Sequence, residues 1–270
     1  MVDPTDREPL IRAFAETYDA ASELSSWELV EQYRRVQAYT ADHPRKGSAA
    51  VASALDLPRS RIRAWVDSDG RPDVVRGIHT ADANGWFDVE WETTFGRHLT
   101  VLVAWIFSGG SINDAYRPAF AVTPRTQGFV EVALETMGTG STVYRNDAEN
   151  RATELVPAAD ASVLGRLLVA LGAPLGPKTR ERALSLPGFL TVAPEPIRLV
   201  FARTYVVNRA TARDERPTTP LQLAEERRPA YRAEVRALFE SLVDGGAVRG
   251  DAESYRLTES AANHLHKPPL

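Results

Sequence analysis

A chain of 270 residues with 43% hydrophobic content can bury one large core or two to three smaller ones. It has no cysteine, which excludes disulfides and thiolate zinc sites, and no apolar run approaches the roughly 20 residues a membrane helix needs. Its formal net charge of −4 runs against the basic balance common among nucleic-acid binders, so any such interface must come from how charge is distributed. The N-terminus carries Asp3, Asp6, Arg7 and Glu8 and no signal-peptide stretch, so the expectation is a soluble, cytoplasmic protein. Arg dominates the cations, with Lys46, Lys178 and Lys267 the only lysines. Arg forks suit phosphate and guanine, although a high-GC genome or a salt-rich cytoplasm produces the same bias.

Residues 7 to 43 read as helices. Leu10, Ile11, Phe14 and Tyr18, then Trp27, Val30, Tyr33, Val36 and Tyr39, recur at three- and four-residue steps. Ser26 is the expected N-cap of the second helix, and Pro44 ends it. Residues 45 to 66 carry a sharper pattern. Ala52 is small enough to let two helices cross closely, Asp56 opens a turn, and Ile62 and Trp65 supply an inner face. Arg59, Ser60, Arg61 and Arg63 fall at the start and outer side of the next helix. Between 45 and 76, seven cations (Arg45, Lys46, Arg59, Arg61, Arg63, Arg71, Arg76) stand against four acids (Asp56, Asp67, Asp69, Asp73), a local +3.

This segment resembles the helix-turn-helix of recombinase and repressor arms. The resemblance implies that Lys46, Arg59, Ser60, Arg61 and Arg63 meet bases and phosphates of duplex DNA. Such motifs often have Gly where Asp56 stands, and Asp tolerates the left-handed conformation. An ordinary helical hairpin with a solvated Arg face is the competing reading. A further helix is expected over 73–84, then an aromatic and acidic connector over 86–98. The expected division is a helical domain 1–85, that connector, and a second domain 99–270.

In the second domain the order of elements recurs. Helix 99–107, strands within 111–123, helix 126–137, strands 142–145 and 152–156, and helix 161–171 form one unit of 99–172. Helix 195–207, strands within 209–224, helix 231–243, strands 247–250 and 254–258, and helix 260–265 form a second of 195–265. Both read αββαββα, which gives the whole chain an α+β class.

The apolar stretch Leu102-Val103-Ala104-Trp105-Ile106-Phe107-Ser108-Gly109-Gly110-Ser111-Ile112 and the weaker Phe201-Ala202-Arg203-Thr204-Tyr205-Val206-Val207-Asn208-Arg209-Ala210 resemble the motif of the LAGLIDADG homing endonuclease family. Gly172 to Lys178 and Leu186 to Leu190 are similar to the linker between the two halves of such proteins. The resemblance spans about 165 residues, 99 to 265. It implies two paired helices at the centre of a saddle of two sheets that straddles the major groove. In the family, an acid beside the motif Gly holds Mg²⁺, and the metal bridges attacking and leaving oxygens. Here Gly109 stands at that place in the first copy, and Asn208 or Arg209 in the second, depending on register. Asp114, Asp214 and Glu215 lie beyond the helix ends.

The resemblance therefore implies a non-cutting DNA binder with no catalytic residues, no metal and no cofactor, similar in concept to WhiA-type sporulation regulators with the domain order reversed. Arg117, Arg145, Arg213, Arg216 and Arg249 are its expected saddle contacts, with Arg125, Arg151, Gln222 and Arg256 as further strand or loop candidates. One chain supplies both halves, so a monomer suffices for an asymmetric site. The alternatives are an active homing endonuclease, or the same scaffold recruited to bind protein. Other signals are weaker. Gly172, Gly176 and Lys178 have the wrong spacing for a P-loop, His264 and His266 do not share a helix face, and residues 238 to 257 also fit a winged helix.

Overall fold

The computed structural model of the chain describes residues 2–19, 24–145, 152–178, 183–211, 222–224, 227–244, 246–250 and 254–270. The fold is mixed α+β, with eleven α-helices and small antiparallel sheets among the described residues. No described helix is long and apolar enough to cross a membrane.

Helix α1 (Arg7–Ala15) turns Leu10, Ile11, Phe14 and Ala15 inward. Helix α2 (Ser26–Asp42) begins with a capping box: Glu28 N donates to Ser25 Oγ (3.2 Å), and Ser25 N donates to the Glu28 carboxylate (2.7 Å). The cap is therefore Ser25, not Ser26. Of two adjacent serines, the one three residues before a Glu closes the box. Ser26 is buried instead and donates its hydroxyl to Tyr18 O at 2.7 Å. The helix ends at Asp42, ahead of Pro44, which disfavours helix in the residue before it.

Helices α3 (Ser48–Leu55) and α4 (Arg59–Asp67) pack with the C-terminal half of α2 around a small core of Val36, Val51, Ala52 and Ile62. Helix α5 (Asp73–Ala83) joins α1 and the first half of α2 in the main core. Residues 86–98 contribute to that core directly, with Trp86, Phe87 and Val89 all buried. Trp86 Nε1 donates to Met137 O at 2.9 Å.

Helix α6 (Thr94–Ser108) starts five residues before the periodicity suggests, and Thr93 Oγ1 caps it by accepting from Gly96 N at 3.1 Å. Gly96 is the reason the start is hidden. Glycine reads as a helix breaker, yet here a Cβ would lie 2.3 Å from Glu90 O, so close packing keeps the residue. From Leu99 to Ser108 every residue of α6 is buried, as expected of a helix apolar on all sides.

Strands β1 (Gly110–Ile112), β2 (Pro118–Val122), β3 (Ser141–Arg145) and β4 (Thr153–Pro157) form one antiparallel sheet in the order β1-β2-β4-β3. It is accompanied by α7 (Gln127–Thr136) and α8 (Ala161–Ala170). Phe120, Val122 and Leu155 face the helices, and the alternate positions face outward. A short 3₁₀ turn (Gly188–Thr191) precedes α9 (Glu195–Arg209), β5 (Ala210–Thr211), β6 (Gln222–Ala224), α10 (Pro229–Glu240), β7 (Val248–Gly250), β8 (Ser254–Leu257) and α11 (Glu259–Leu265). The second sheet has the order β5-β6-β8-β7. Its β7–β8 hairpin pairs through β8 with β6, so the hairpin is part of a larger sheet rather than a free wing. Helices α6 and α9 form the most extensive contact between any two elements and occupy the centre of the fold.

The helical N-terminal part is fastened to the first sheet. The Arg166 guanidinium of α8 is sandwiched between the rings of Tyr18 and Tyr116, 3.8 Å from each centroid. It also donates to Thr17 O and lies 3.3 Å from Thr17 Oγ1. Tyr116 adopts a left-handed φ of 57° in the turn between β1 and β2, and its N donates to Asn113 O at 2.8 Å.

Candidate nucleic-acid interface

Two surfaces carry the residues that sequence reasoning selects. On the first, α3 and α4 meet across a turn in which Asp56 takes a left-handed conformation (φ 53°, ψ 50°) and Pro58 caps α4. Asp67, the last residue of α4, accepts from Ser48 N (3.0 Å) and Ser48 Oγ (2.6 Å), and so satisfies the open start of α3. These two bonds hold the Asp67 carboxyl below the usual carboxylate range, with Arg59 and Arg63 adding smaller contributions. Arg59, Arg63 and Asp67 are successive residues at four-residue spacing, one stripe of α4.

Arg59 Nε donates to Ser48 Oγ at 3.2 Å, and Arg59, Ser60 and Arg63 are all exposed. Arg61 behaves differently: it is half-buried and donates to Gln32 Oε1 of α2 at 3.0 Å. Lys46 folds back onto α2, its ammonium 4.9 Å from the Tyr39 ring centre and 2.5 Å from the Tyr39 hydroxyl. The outward cations of α4 are thus Arg59 and Arg63. Asp67 was missed as a framework residue; its place at the end of an Arg-rich helix gave no sign of a bond back to Ser48.

The second surface is organised by the junction of α6 and α9. Their C-terminal ends meet at Ser108, Gly109 and Asn208. Asn208 Nδ2 donates to Ser108 Oγ at 3.0 Å, and the buried Ser108 donates in turn to Ala104 O at 2.9 Å. A Cβ on Gly109 would lie 3.3 Å from Asn208 Cγ, so Asn208, not Arg209, is the residue opposite Gly109. Behind the junction Phe107 packs on Phe201 and Tyr231, with centroids at 5.9 and 6.3 Å. Lys178 donates to Ile106 O and Gly110 O, setting an ammonium at the negative end of the α6 dipole. Arg227 donates to Lys178 O.

The first sheet presents an outward concavity of about 770 Å³ bordered by Ser111, Asn113, Arg117, Tyr144, Glu154 and the start of α8. Arg117 is exposed, and Asn113 Oδ1 fixes its backbone by accepting from Arg117 N at 2.9 Å. Arg125 is exposed in the turn before α7, and Asp114 is exposed in the β1–β2 turn. Arg145 closes β3 in register with Glu154. On the second sheet, Gln222, Arg256 and Arg249 form one cross-strand row, through the pairs Gln222↔Arg256 and Arg249↔Arg256. Arg249 and Arg256 are exposed, while the alternate positions Leu223, Leu257 and Val248 are buried. Arg151, Arg213, Arg216, Asp214 and Glu215 lie outside the described residues. Among the described residues no three His, Asp or Glu side chains cluster as a metal site would require.

No protein-family model matches the chain, and no curated protein matches it.

Proposed function

We propose that the chain is a sequence-selective binder of double-stranded DNA that does not cut it, a transcription regulator built on a helix-turn-helix and a degenerate, duplicated LAGLIDADG-like saddle. The observation that carries the reading is the α6–α9 junction. Two long helices pair at the centre, each running straight into the first strand of a four-stranded sheet, and the two sheets share one strand order. Where the family places paired carboxylates, Gly109 faces Asn208 and a neutral hydrogen bond links Asn208 to Ser108. Neither residue is an anionic oxygen ligand, and phosphodiester hydrolysis by this route requires such ligands for its metal.

The α4 surface supports the same reading. Arg59 and Arg63 lie one turn apart on an exposed face, and Asp67, Ser48 and the Asp56 turn hold that helix rigidly against α3. Rigid placement lets a guanidinium discriminate base edges. In the second sheet the exposed Arg249 and Arg256, paired across β7 and β8, supply further groups of the right chemistry. One chain carries both halves of the saddle, so an asymmetric site needs no second copy.

The test is selection of duplexes from a randomised pool by the full chain, followed by anisotropy titration of the winner. The expected result is one enriched sequence, bound about 10³-fold or more tighter than random duplex, with affinity falling steeply as salt rises. No enrichment refutes DNA recognition, and affinity indifferent to salt points to a protein-binding surface. Cleavage of supercoiled plasmid on addition of Mg²⁺ refutes the non-cutting assignment and revives the nuclease.

A further inference from the structure

A groove of about 380 Å³ lies between α2 and α5 in the helical N-terminal part. Its floor is apolar: Val30, Tyr33, Val75 and Ile78 are all buried and line it. Its polar groups stand around the rim. Arg71 Nη1 is 3.2 Å from His79 Nδ1, and Gln37 lies on the opposite wall, donating to Trp65 O at 3.4 Å.

The charge balance of this rim decides what it suits. Arg34, at the far end, already has its acid, with Glu8 at 2.5 Å. Neighbouring carboxylates are engaged elsewhere: Asp73 pairs with Arg76, and Asp82 with Arg7. Among the described residues Arg71 has no carboxylate partner; its side-chain contact is with a ring nitrogen. His79 is exposed at the rim, and partial desolvation followed by the Arg71 charge lowers its pKa, so the pair carries its positive charge on Arg71. The five donors of an Arg fork accommodate one neutral nitrogen and still offer a paired set to a carboxylate. Apolar floor, one unbalanced guanidinium and a nearby amide are the usual ingredients of a small-ligand site, and the volume is within the usual range.

We propose that the α2–α5 groove binds a small organic carboxylate, its apolar body on Val30, Tyr33, Val75 and Ile78 and its carboxylate on Arg71. The site backs directly onto α4, since the Tyr33 ring packs edge-on against Trp65 at 5.5 Å and Arg71 closes the turn that follows α4.

The full chain, without DNA, is titrated with benzoate, phenylacetate and isovalerate, and each acid is compared with its amide. Two-dimensional ¹H–¹⁵N NMR follows the backbone amides of Gln37, Arg71 and His79 and the Gln37 side-chain amide. At least one acid is expected to give saturable shifts centred on these groups, with affinity reduced about tenfold for the matching amide and for Arg71→Gln, or about 1.4 kcal/mol. The proposal is overturned if none of the three acids saturates these signals, or if the amide binds the parent protein as tightly as the acid. The amide comparison needs no variant. Because no DNA is present, this site and the DNA-binding reading can fail separately.

Discussion

Replacing Gly165 by Ala sets two effects of opposite sign against each other, and the structure decides between them. Gly165 lies within α8, where helix propensity alone favours Ala by about 1 kcal/mol. An added Cβ would however sit 1.8 Å from Tyr116 O and 2.7 Å from Tyr116 C. The obstacle is backbone, and it is held in place: Tyr116 has a left-handed φ of 57°, its N donates to Asn113 O, and its ring lies on Arg166. Overpacking of this kind costs about 1–3 kcal/mol or more, and an immobile carbonyl places this case at the upper end. The net expectation is destabilisation by about 2 kcal/mol, or a Tm lower by about 4–8 °C in a chain of this size. The control is Gly128→Ala in α7, where a Cβ meets nothing within 4 Å, so a gain of about 0.4–1 kcal/mol is expected. Urea unfolding followed by far-ultraviolet circular dichroism measures both. If Gly165→Ala is as stable as the parent, the close approach of α8 to the β1–β2 turn is refuted.

The double variant Arg59→Ala, Arg63→Ala should weaken binding of the selected duplex and lower the slope of log K against log salt by about 1.8 if each guanidinium neutralises one phosphate; an unchanged slope in anisotropy removes α4 from the interface. Asn208→Ala should cost about 1 kcal/mol in urea unfolding through the lost bond to Ser108, and no measurable loss would refute the pairing at the α6–α9 junction. Asp67 has a depressed pKa in the folded chain, so its contribution is present above the unfolded value and lost as pH falls through the folded one. The stability gap between parent and Asp67→Asn should therefore be constant near neutrality and close on acidification; a gap that widens in acid contradicts the Ser48 bonds.

Much of the secondary structure was legible because apolar spacing and turn residues agreed locally. The pattern around Phe129, Val130, Ala133 and Leu134 gave α7, and Ala52, Asp56 and Ile62 gave the α3–α4 corner. The failures came where one particular contact, rather than apolar spacing, decides. The three-residue step from Ser25 to Glu28 is a local capping signal that apolar periodicity does not weigh, and the burial of Ser26 rests on its bond to Tyr18 O. Gly96 concealed the start of α6 because its reason is the approach of Glu90 O. In the candidate interface the choice between Asn208 and Arg209 needed the partner helix, and the inward turn of Arg61 needed Gln32. The Arg71–His79 rim carries no sequence signal, since its neutral histidine and unbalanced cation depend on which acids other arginines have claimed.

The clasp of Arg166 between Tyr18 and Tyr116, with the Trp86 indole anchored on Met137 O, makes the helical part and the first sheet a single lever arm. On the DNA-binding reading such an arm sets a rotational phase as well as a distance. Moving the α4 half of an operator by half a helical turn, about 5 base pairs, would put it on the far side of the duplex, whereas a full turn of about 10 would bring it back to the same face but out of reach. A flexible tether would forgive the second displacement; this one would forgive neither.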